Sequence, residues 1–300
     1  MNISEDTFIS WSKGPSDTET AKCGHAETAV RKAIDADSDL QDLDITVFPQ
    51  GSFRARTNVP GDSDVDVCIR CSDSFIADYP PGKTREDFGN TTAPLTFADY
   101  RKMVEKALRN YFGSAQVDRG DKAFDVRENT YRIDADVIAT FEHRRYTGRI
   151  NPDGSDHYLS GVAFRPDSGG TIKNWPQQNY DNGVAKNDVC NRHYKRVVRI
   201  LKRLCYKMRD DGIAEAKDIG SFLIECLVWN APKEAFTHDT YTSDVRSVLA
   251  HTFNNTLDDE RCKEWGEVNE LKYLFRDGQP WTRQQAHTFL SAAWNYIGYK

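Results

Sequence analysis

The 300-residue sequence predicts an α/β (α+β) protein, with a mixed sheet in its first part and helices in its second. Apolar residues alternate with acids at 64–69 and again at 131–141, as in strands, where side chains two apart share a face. From about residue 186 the apolar residues recur at helical spacing. We therefore expect two domains, residues 1–185 with the sheet and an N-terminal helix, and residues 186–300 as a helical lobe packed against it.

Periodicity and turn residues predict the elements of the first domain. Thr96 is expected to cap a helix that Gly113 ends, because its hydroxyl can accept a backbone N–H and glycine tolerates the turn that follows. In chain order we expect a helix at 17–36, a strand at 45–48, a short helix or turn opened by Gly51 and Ser52, a strand at 65–69, a loop at 72–95, a helix at 96–112, and strands at 117–119, 123–126 and 131–141.

Residues 147–188 are rich in Gly, Asn, Asp and Pro, which are typical of turns, and only 159–164 has a strand pattern. Asn side chains in this stretch are expected to serve turns more often than to contact a ligand. In the second domain the apolar spacing predicts helices at 190–210, 219–230, 239–254 and 282–298.

Composition limits the function classes. The chain has 46 acidic and 40 basic residues and a net charge of −6, which disfavours binding of extended nucleic acid over a broad surface. It contains no apolar run of membrane-spanning length and no signal-peptide pattern at its start, so we expect a cytoplasmic protein with reduced cysteines. Cys68 and Cys71 are half of a zinc motif, without a second pair at zinc-finger spacing.

Two carboxylates provide the main functional signal. Asp64 and Asp66 lie two apart at the start of an apolar strand, so both are expected on one sheet face. Nucleotidyl transfer uses two divalent ions, Mg²⁺ or Mn²⁺, which need only a few carboxylate ligands. Asp136 is the preferred third carboxylate, with Asp134 as its neighbour on the same strand. The alternative is a pair of solvent-facing acids on an edge strand beside a routine turn.

A possible phosphate-binding turn precedes these acids. Gln50, Gly51 and Ser52 follow the first strand, and glycine allows a phosphate to approach the backbone closely while the serine hydroxyl donates to it. Arg54 and Arg56 either approach the same phosphates or lie exposed on a helix.

The 190–210 helix carries Lys195, Arg199 and Lys202 on one face. A lysine there can act as a point charge on a triphosphate; we assign that role to Lys202 and expect Lys195 to belong to a solvated basic face. Trp175 and Tyr180 are candidates for stacking on a base.

With these residues assembled, the chain resembles the polymerase-β-like nucleotidyltransferases and, within them, the bacterial CD-NTases (the SMODS group), relatives of cyclic GMP–AMP synthase and oligoadenylate synthases. The Gly-Ser and Asp-x-Asp pattern of the family falls on Gly51, Ser52, Asp64 and Asp66. Its third metal carboxylate falls on Asp136, where Ala139 replaces a frequent proline. Its phosphate-binding lysine matches Lys202, and the serine that opens the next helix matches Ser221.

The resemblance implies that the protein condenses NTPs into a cyclic di- or trinucleotide second messenger in antiphage defence. It also implies a separate effector protein that binds the product, and a regulatory partner or ligand. Asp64, Asp66 and Asp136 would hold two metal ions, and Ser52, Lys202 and Ser221 would hold the donor triphosphate. Two alternatives stay open: a related enzyme that modifies an RNA, a small molecule or a protein, and a non-catalytic nucleotide-binding regulator.

Overall fold

The structure, a computed structural model, describes residues 3–61 and 64–299. The chain divides into two compact units, each discontinuous in sequence. The sheet unit comprises Asp17–Phe53 and Ser63–Gln177, and the helical unit comprises Met1–Ser16, Arg54–Asp62 and Gln178–Lys300.

The strands and α-helices of the described residues have the following bounds. The strands are β1 Ile45–Pro49, β2 Val65–Asp78, β3 Val117–Arg119, β4 Phe124–Val126, β5 Ala135–Ile150, β6 Asp156–Phe164 and β7 Ile172–Asn174. The helices are α1 Glu5–Trp11, α2 Asp17–Asp35, α3 Gly51–Ala55, α4 Phe97–Phe112, α5 Pro176–Val189, α6 His193–Asp210, α7 Ser221–Trp229, α8 Tyr241–Asn255, α9 Asp259–Cys262 and α10 Arg283–Ile297.

The sheet of the sheet unit is mixed, as the sequence predicts. Its strand order is β1-β2-β5-β4-β3, and β6 and β7 continue it beyond the second half of β5. β2 and β5 are parallel, whereas the other strand pairs are antiparallel. The two long strands therefore lie side by side at the centre of the sheet and begin at the same end.

The two faces of the central strands have different environments. Val65, Val67 and Ile69 belong to an apolar core that also contains residues of α2 and α4. Because side chains alternate along a strand, Asp66 lies on the opposite face. Helix α4 begins as predicted, with the Thr96 hydroxyl accepting the N–H of Asp99 at 3.2 Å. The burial pattern thus directs the acids of β2 away from the helix-covered side.

The helical unit has its own core, formed mainly by α6, α7, α8 and α10. The apolar face of α6 is buried in it, and so is Phe8 of α1. The Glu5 carboxylate accepts the backbone N–H groups of Tyr241 and Thr242 at the start of α8. These contacts explain why α1, at the beginning of the chain, belongs to the same unit as the C-terminal helices.

Several predictions need correction. β2 continues to Asp78, because it pairs again with β5 beyond a register shift after Cys71, so the predicted loop at 72–95 is part strand. β5 continues to Ile150 by pairing with β6. α5 occupies a region predicted to consist largely of turns. The two compact units group residues 1–16 and 54–62 with the helices, and the division into domains at 1–185 and 186–300 stays a prediction.

Two further observations concern the whole described chain. Its helices include none that is both long and apolar enough to cross a membrane. All seven cysteines are free and buried, including Cys68 and Cys71.

Candidate active site

A row of carboxylates crosses the face of the sheet that lies away from α2 and α4. Asp66 of β2 is directly paired with Asp136 of β5 in the parallel ladder. Asp64 comes one residue before β2 and is exposed. Because adjacent strands are about 4.8 Å apart, paired residues on one face are close neighbours. The structure therefore brings Asp66 and Asp136 side by side, with Asp64 at the entrance to the same strand.

Asp125 is a further member of this row that the sequence prediction missed. It is the antiparallel partner of Asp136 on the other side, in β4. In the sequence it is a single acid between two apolar residues, Phe124 and Val126. In β4 it is exposed, whereas those two residues are buried. A strand of three residues is too short a pattern to identify its partner strand, so the pairing of Asp125 with Asp136 could not be predicted from the sequence.

The carboxylates disfavour one another's charge. The pKa of Asp136 is raised to about 7, first by burial, then by a hydrogen bond with Asp125 and by the negative charges of Asp66, Asp125 and Asp64. Like charges in a partly buried cluster favour protonation of one member. The same cluster would be stabilised by a divalent cation, which replaces that proton as the compensating charge.

The donor chemistry fits Mg²⁺ or Mn²⁺, since carboxylate oxygens are the hard ligands that these ions prefer. The side-chain positions do not yet form an ion site: within residues 3–61 and 64–299, no three Asp, Glu, His or Cys side chains are grouped to hold a metal. The assignment of Asp64, Asp66 and Asp136 as the ligands of two shared ions therefore stays a prediction.

Asp134, the neighbour of Asp136, has a different environment. It precedes β5, and its carboxylate accepts the backbone N–H of Glu128. Its carbonyl oxygen accepts the N–H of Val65 at 3.1 Å. Asp134 thus anchors the loop before β5 and ties it to the start of β2, whereas Asp136 projects from the strand itself.

The turn after β1 is fitted against Asp66. Gly51 has a φ of +61°, and a Cβ placed on it would lie 1.9 Å from Oδ2 of Asp66. The backbone N–H of Gln50 donates to the carbonyl of Asp66 at 2.9 Å. Ser52, half-buried, follows in the first turn of α3. Gly51 is therefore required both for its backbone conformation and for the close approach of the turn to the carboxylate.

Lys202 lies in a buried hydrogen-bond network of the helical unit. Its side chain is 1 % exposed, and Nζ donates to the carbonyl oxygen of Thr57 at 3.1 Å. Nζ also lies 3.5 Å from Glu225 Oε2, which accepts the Thr57 hydroxyl at 2.7 Å. In this network the ammonium group holds the Thr57 carbonyl inside the helical unit, and its predicted role as a phosphate ligand stays a prediction.

Lys195 of α6 does not belong to a solvated basic face, in contrast to the expectation. Lys195 is 8 % exposed, and burial lowers its pKa. Arg199 donates to the carbonyls of Ser12 and Arg56, each at 2.7 Å. Ser221, the first residue of α7, is half-buried, and its role as a phosphate ligand stays a prediction.

The two aromatic candidates for base stacking, Trp175 and Tyr180, differ in how far their rings are buried. Trp175 is fully buried, with Arg145 4.3 Å from its ring centroid, so its faces are not available to a base. Tyr180, in α5, is half-buried, with the Arg54 guanidinium 5.2 Å and Lys195 Nζ 5.7 Å from its ring centroid. Within the helical unit, Tyr180 is thus an aromatic ring with two cations beside it.

Comparison with known proteins identifies the family to which the chain belongs. Residues 181–298 match the family model described as the cGAS/DncV-like nucleotidyltransferase C-terminal helical domain. The chain is 42% identical to the cyclic dipyrimidine nucleotide synthases CdnE of Cecembia lonarensis, over 98% of both chains, and of Legionella pneumophila, over 98% of this chain and 97% of that one. It belongs to the CD-NTase family.

The fold agrees with this assignment. The structure of Rhodothermus marinus CdnE c-UMP-AMP synthase with Apcpp and Upnpp matches with a TM-score of 0.86 and 28% identity, over 99% of this chain and 98% of that chain. This CD-NTase is therefore a nucleotidyltransferase that synthesises a cyclic oligonucleotide. The alternatives of a non-catalytic regulator or an enzyme that modifies another molecule are not supported.

Proposed function

We propose that this CD-NTase joins two NTPs into a cyclic dinucleotide containing pyrimidine, in a reaction that requires two Mg²⁺ or Mn²⁺ ions. The observation that carries the proposal is the register that sets Asp66 beside Asp136, with the Gly51 turn packed on Asp66. The preference for pyrimidine is supported by the names of the two relatives that are 42% identical.

The residues have distinct proposed roles. Asp64, Asp66 and Asp136 hold the ions, which neutralise charge on the reacting phosphate and on its attacking and leaving oxygens. Asp136 also helps to activate the attacking ribose hydroxyl. Gln50, Gly51 and Ser52 hold the donor triphosphate, because their backbone is fixed next to Asp66. Ser221 stays a predicted phosphate ligand, testable as a raised KM for NTPs in Ser221→Ala.

A product assay tests the catalytic part. The protein is incubated with the four NTPs and Mg²⁺, and the phosphatase-resistant product is isolated and its mass measured. The double variant Asp64→Ala/Asp66→Ala should form none while unfolding at the same urea concentration as the wild type. Asp42→Ala is the matched control, because Asp42 is an exposed acid of the same unit outside the carboxylate row. Activity in the double variant would rule out this site.

Paired substrates test the base preference. UTP with CTP, or either alone, should yield product, whereas ATP with GTP should not. A product that always needs ATP together with UTP would instead match the name of the Rhodothermus relative. EDTA should abolish synthesis, and excess Mg²⁺ or Mn²⁺ should restore it; synthesis that persists in EDTA would overturn the metal requirement.

The signalling role is a second part of the proposal and rests on the family resemblance. The product would act on a separate effector protein in antiphage defence. Cells carrying the native gene neighbourhood should resist phage, and the Asp64→Ala/Asp66→Ala variant should lose that resistance. Equal resistance in both strains would refute the role.

A further inference from the structure

The sheet unit contains a cavity of about 620 Å³ away from the carboxylate row. Its lining includes His25 of α2, Tyr111 and Phe112 at the end of α4, and one acid, Glu128, with Tyr131 and Arg132 in the loop before β5. This volume falls in the range of about 300–1,000 Å³ typical of small-molecule sites. Nothing in the proposed reaction uses these residues.

The rim of the cavity is aromatic. Tyr131 is 75% exposed and Tyr111 is 46% exposed, although large aromatic side chains usually bury most of their surface. The Tyr111 ring packs edge-on against Phe112, with ring centroids 4.9 Å apart. Exposed rings around a concave surface favour a flat ring as the ligand, since it can stack on them with little loss of conformational freedom.

A cation lies among these rings. Arg132 is 6% exposed, and its guanidinium is 4.8 Å from the centroid of Phe112. Nη1 donates to the carbonyl of Val126 at 3.3 Å, but a guanidinium has five N–H donors. Burial lowers the pKa of Arg132, while the nearby Asp134 opposes this effect. Because Arg132 lines the cavity, an anionic group on a ligand there would form a charge-assisted hydrogen bond with its guanidinium.

The loop that carries Tyr131 and Arg132 is tied to both acid-bearing strands. The Asn129 side-chain oxygen accepts the N–H groups of Tyr131 and Arg132, at 2.9 and 3.0 Å. The same loop is fixed to Asp134, whose carboxylate accepts the Glu128 N–H and whose carbonyl accepts the Val65 N–H. Val65 lies between Asp64 and Asp66, and Asp134 comes two residues before Asp136. A displacement of the loop would therefore reach both strands through two hydrogen bonds.

We propose that this cavity is a regulatory site for a small planar aromatic molecule with an anionic group, and that its occupancy changes the rate of nucleotidyl transfer. The ring stacks on Tyr131 and Tyr111, and the anion pairs with Arg132. A ligand shifts the enzyme only to the extent that it prefers one loop position. The rate effect rests on the proposed function, whereas binding does not.

Binding is tested with 8-anilinonaphthalene-1-sulfonate, a fluorescent aromatic anion, on the full-length protein. We expect saturable binding at one site, weakened by about 3- to 10-fold in Tyr131→Ala through loss of stacking. Tyr273→Ala is the matched control, because Tyr273 is 55% exposed and lies in the helical unit. The uncharged dye N-phenyl-1-naphthylamine should bind about 10-fold or more weakly than the anion. Equal affinity in both variants, or no preference for the anion, would overturn the assignment.

Competition identifies the source of the ligand. Displacement of the dye by UMP would indicate a nucleotide, and displacement by anthranilate an aromatic acid without a sugar. If neither compound displaces it, the proposed ligand class is wrong.

The regulatory part is tested by measuring product formation at saturating dye. We expect the wild type and Tyr273→Ala to change in kcat, and Tyr131→Ala to respond only at higher dye concentrations. An unchanged rate at full occupancy would overturn the coupling. A protein that binds the dye as expected but makes no cyclic product would overturn the proposed function and leave the binding site standing.

Discussion

Gly51 is the residue whose constraint is most clearly defined by the structure. Its positive φ is unfavourable for residues with a Cβ, and its Cα lies against the Asp66 carboxylate. Many glycines satisfy the first condition, but the second links this turn to a predicted metal ligand. The glycine of the Gly-Ser motif is thus explained by contact with the acid as well as by space for a phosphate.

Replacing Gly51 with alanine should lower kcat by about 100-fold or more, because the new methyl group must displace Asp66 or the turn. Gly89→Ala is the matched control, since Gly89 has nearly the same φ, +64°, with nothing within 4 Å of an added Cβ. Product formation is measured for both, with urea unfolding to compare stability. Equal activities of the two variants would show that the close approach of Gly51 to Asp66 is not required for catalysis.

At the scale of elements, α6 holds residues 54–62 through two cations one turn apart. Arg199 binds the carbonyl of Arg56, and Lys202 binds that of Thr57 and lies beside Glu225. In the sequence this segment joins the Gly51 turn to Asp64. The cations of α6 therefore hold the backbone of this segment at Arg56 and Thr57 within the helical unit.

Lys202→Met should lower the free energy of unfolding by about 3–5 kcal/mol, because it leaves Glu225 buried without its cation. The double variant Lys202→Met/Glu225→Leu should recover part of that loss. Urea unfolding measures both effects. If Lys202→Met instead keeps full stability and only raises the KM for NTPs, the original prediction of a phosphate ligand is correct.

A second lysine connects α5 to the end of α7. Nζ of Lys186 donates to the carbonyls of Trp229 and Ala231, and burial lowers the pKa of Lys186 from 10.5 to about 8. Its charged form is thus less favourable in the folded state than in the unfolded chain. The resulting loss of stability is complete below pH 8 and disappears as the pH approaches 10.5.

The wild type should therefore gain stability relative to Lys186→Met between pH 8 and pH 10, by on the order of 2 kcal/mol. Urea unfolding at several pH values measures the difference, and titrations common to both proteins cancel. A difference that stays constant or falls with pH would contradict the shifted pKa.

For the whole molecule, net charge leads to a prediction about nucleic acids. With acidic residues in excess, 46 to 40, the protein lacks the overall positive charge that favours DNA binding. Double-stranded DNA should neither bind at physiological salt nor stimulate product formation. Gel-shift and rate measurements test this, and stimulation that weakens with added salt would contradict it.

The sequence allowed prediction of features encoded in short segments. The Thr96 cap and the apolar spacing after it define α4, and alternation places Asp66 opposite the core. α5 was missed because its sequence is largely polar, and contacts from outside the helix hold it, such as Asn182 to the carbonyl of Val268. The burial of Lys202 and the pairing of Asp125 depend on residues distant in sequence or on a strand of three residues.

The discontinuous units restrict how the chain can be cut. A fragment that starts at residue 186 would lack Phe8, Glu5 and Thr57, which supply core volume, a helix cap and a hydrogen-bonding partner. During synthesis on the ribosome, residues 1–16 and 54–62 cannot complete their packing until the helices of the same unit, more than a hundred residues later in the chain, have been translated. Split versions of this enzyme should therefore be assembled from co-expressed pieces rather than from one isolated half.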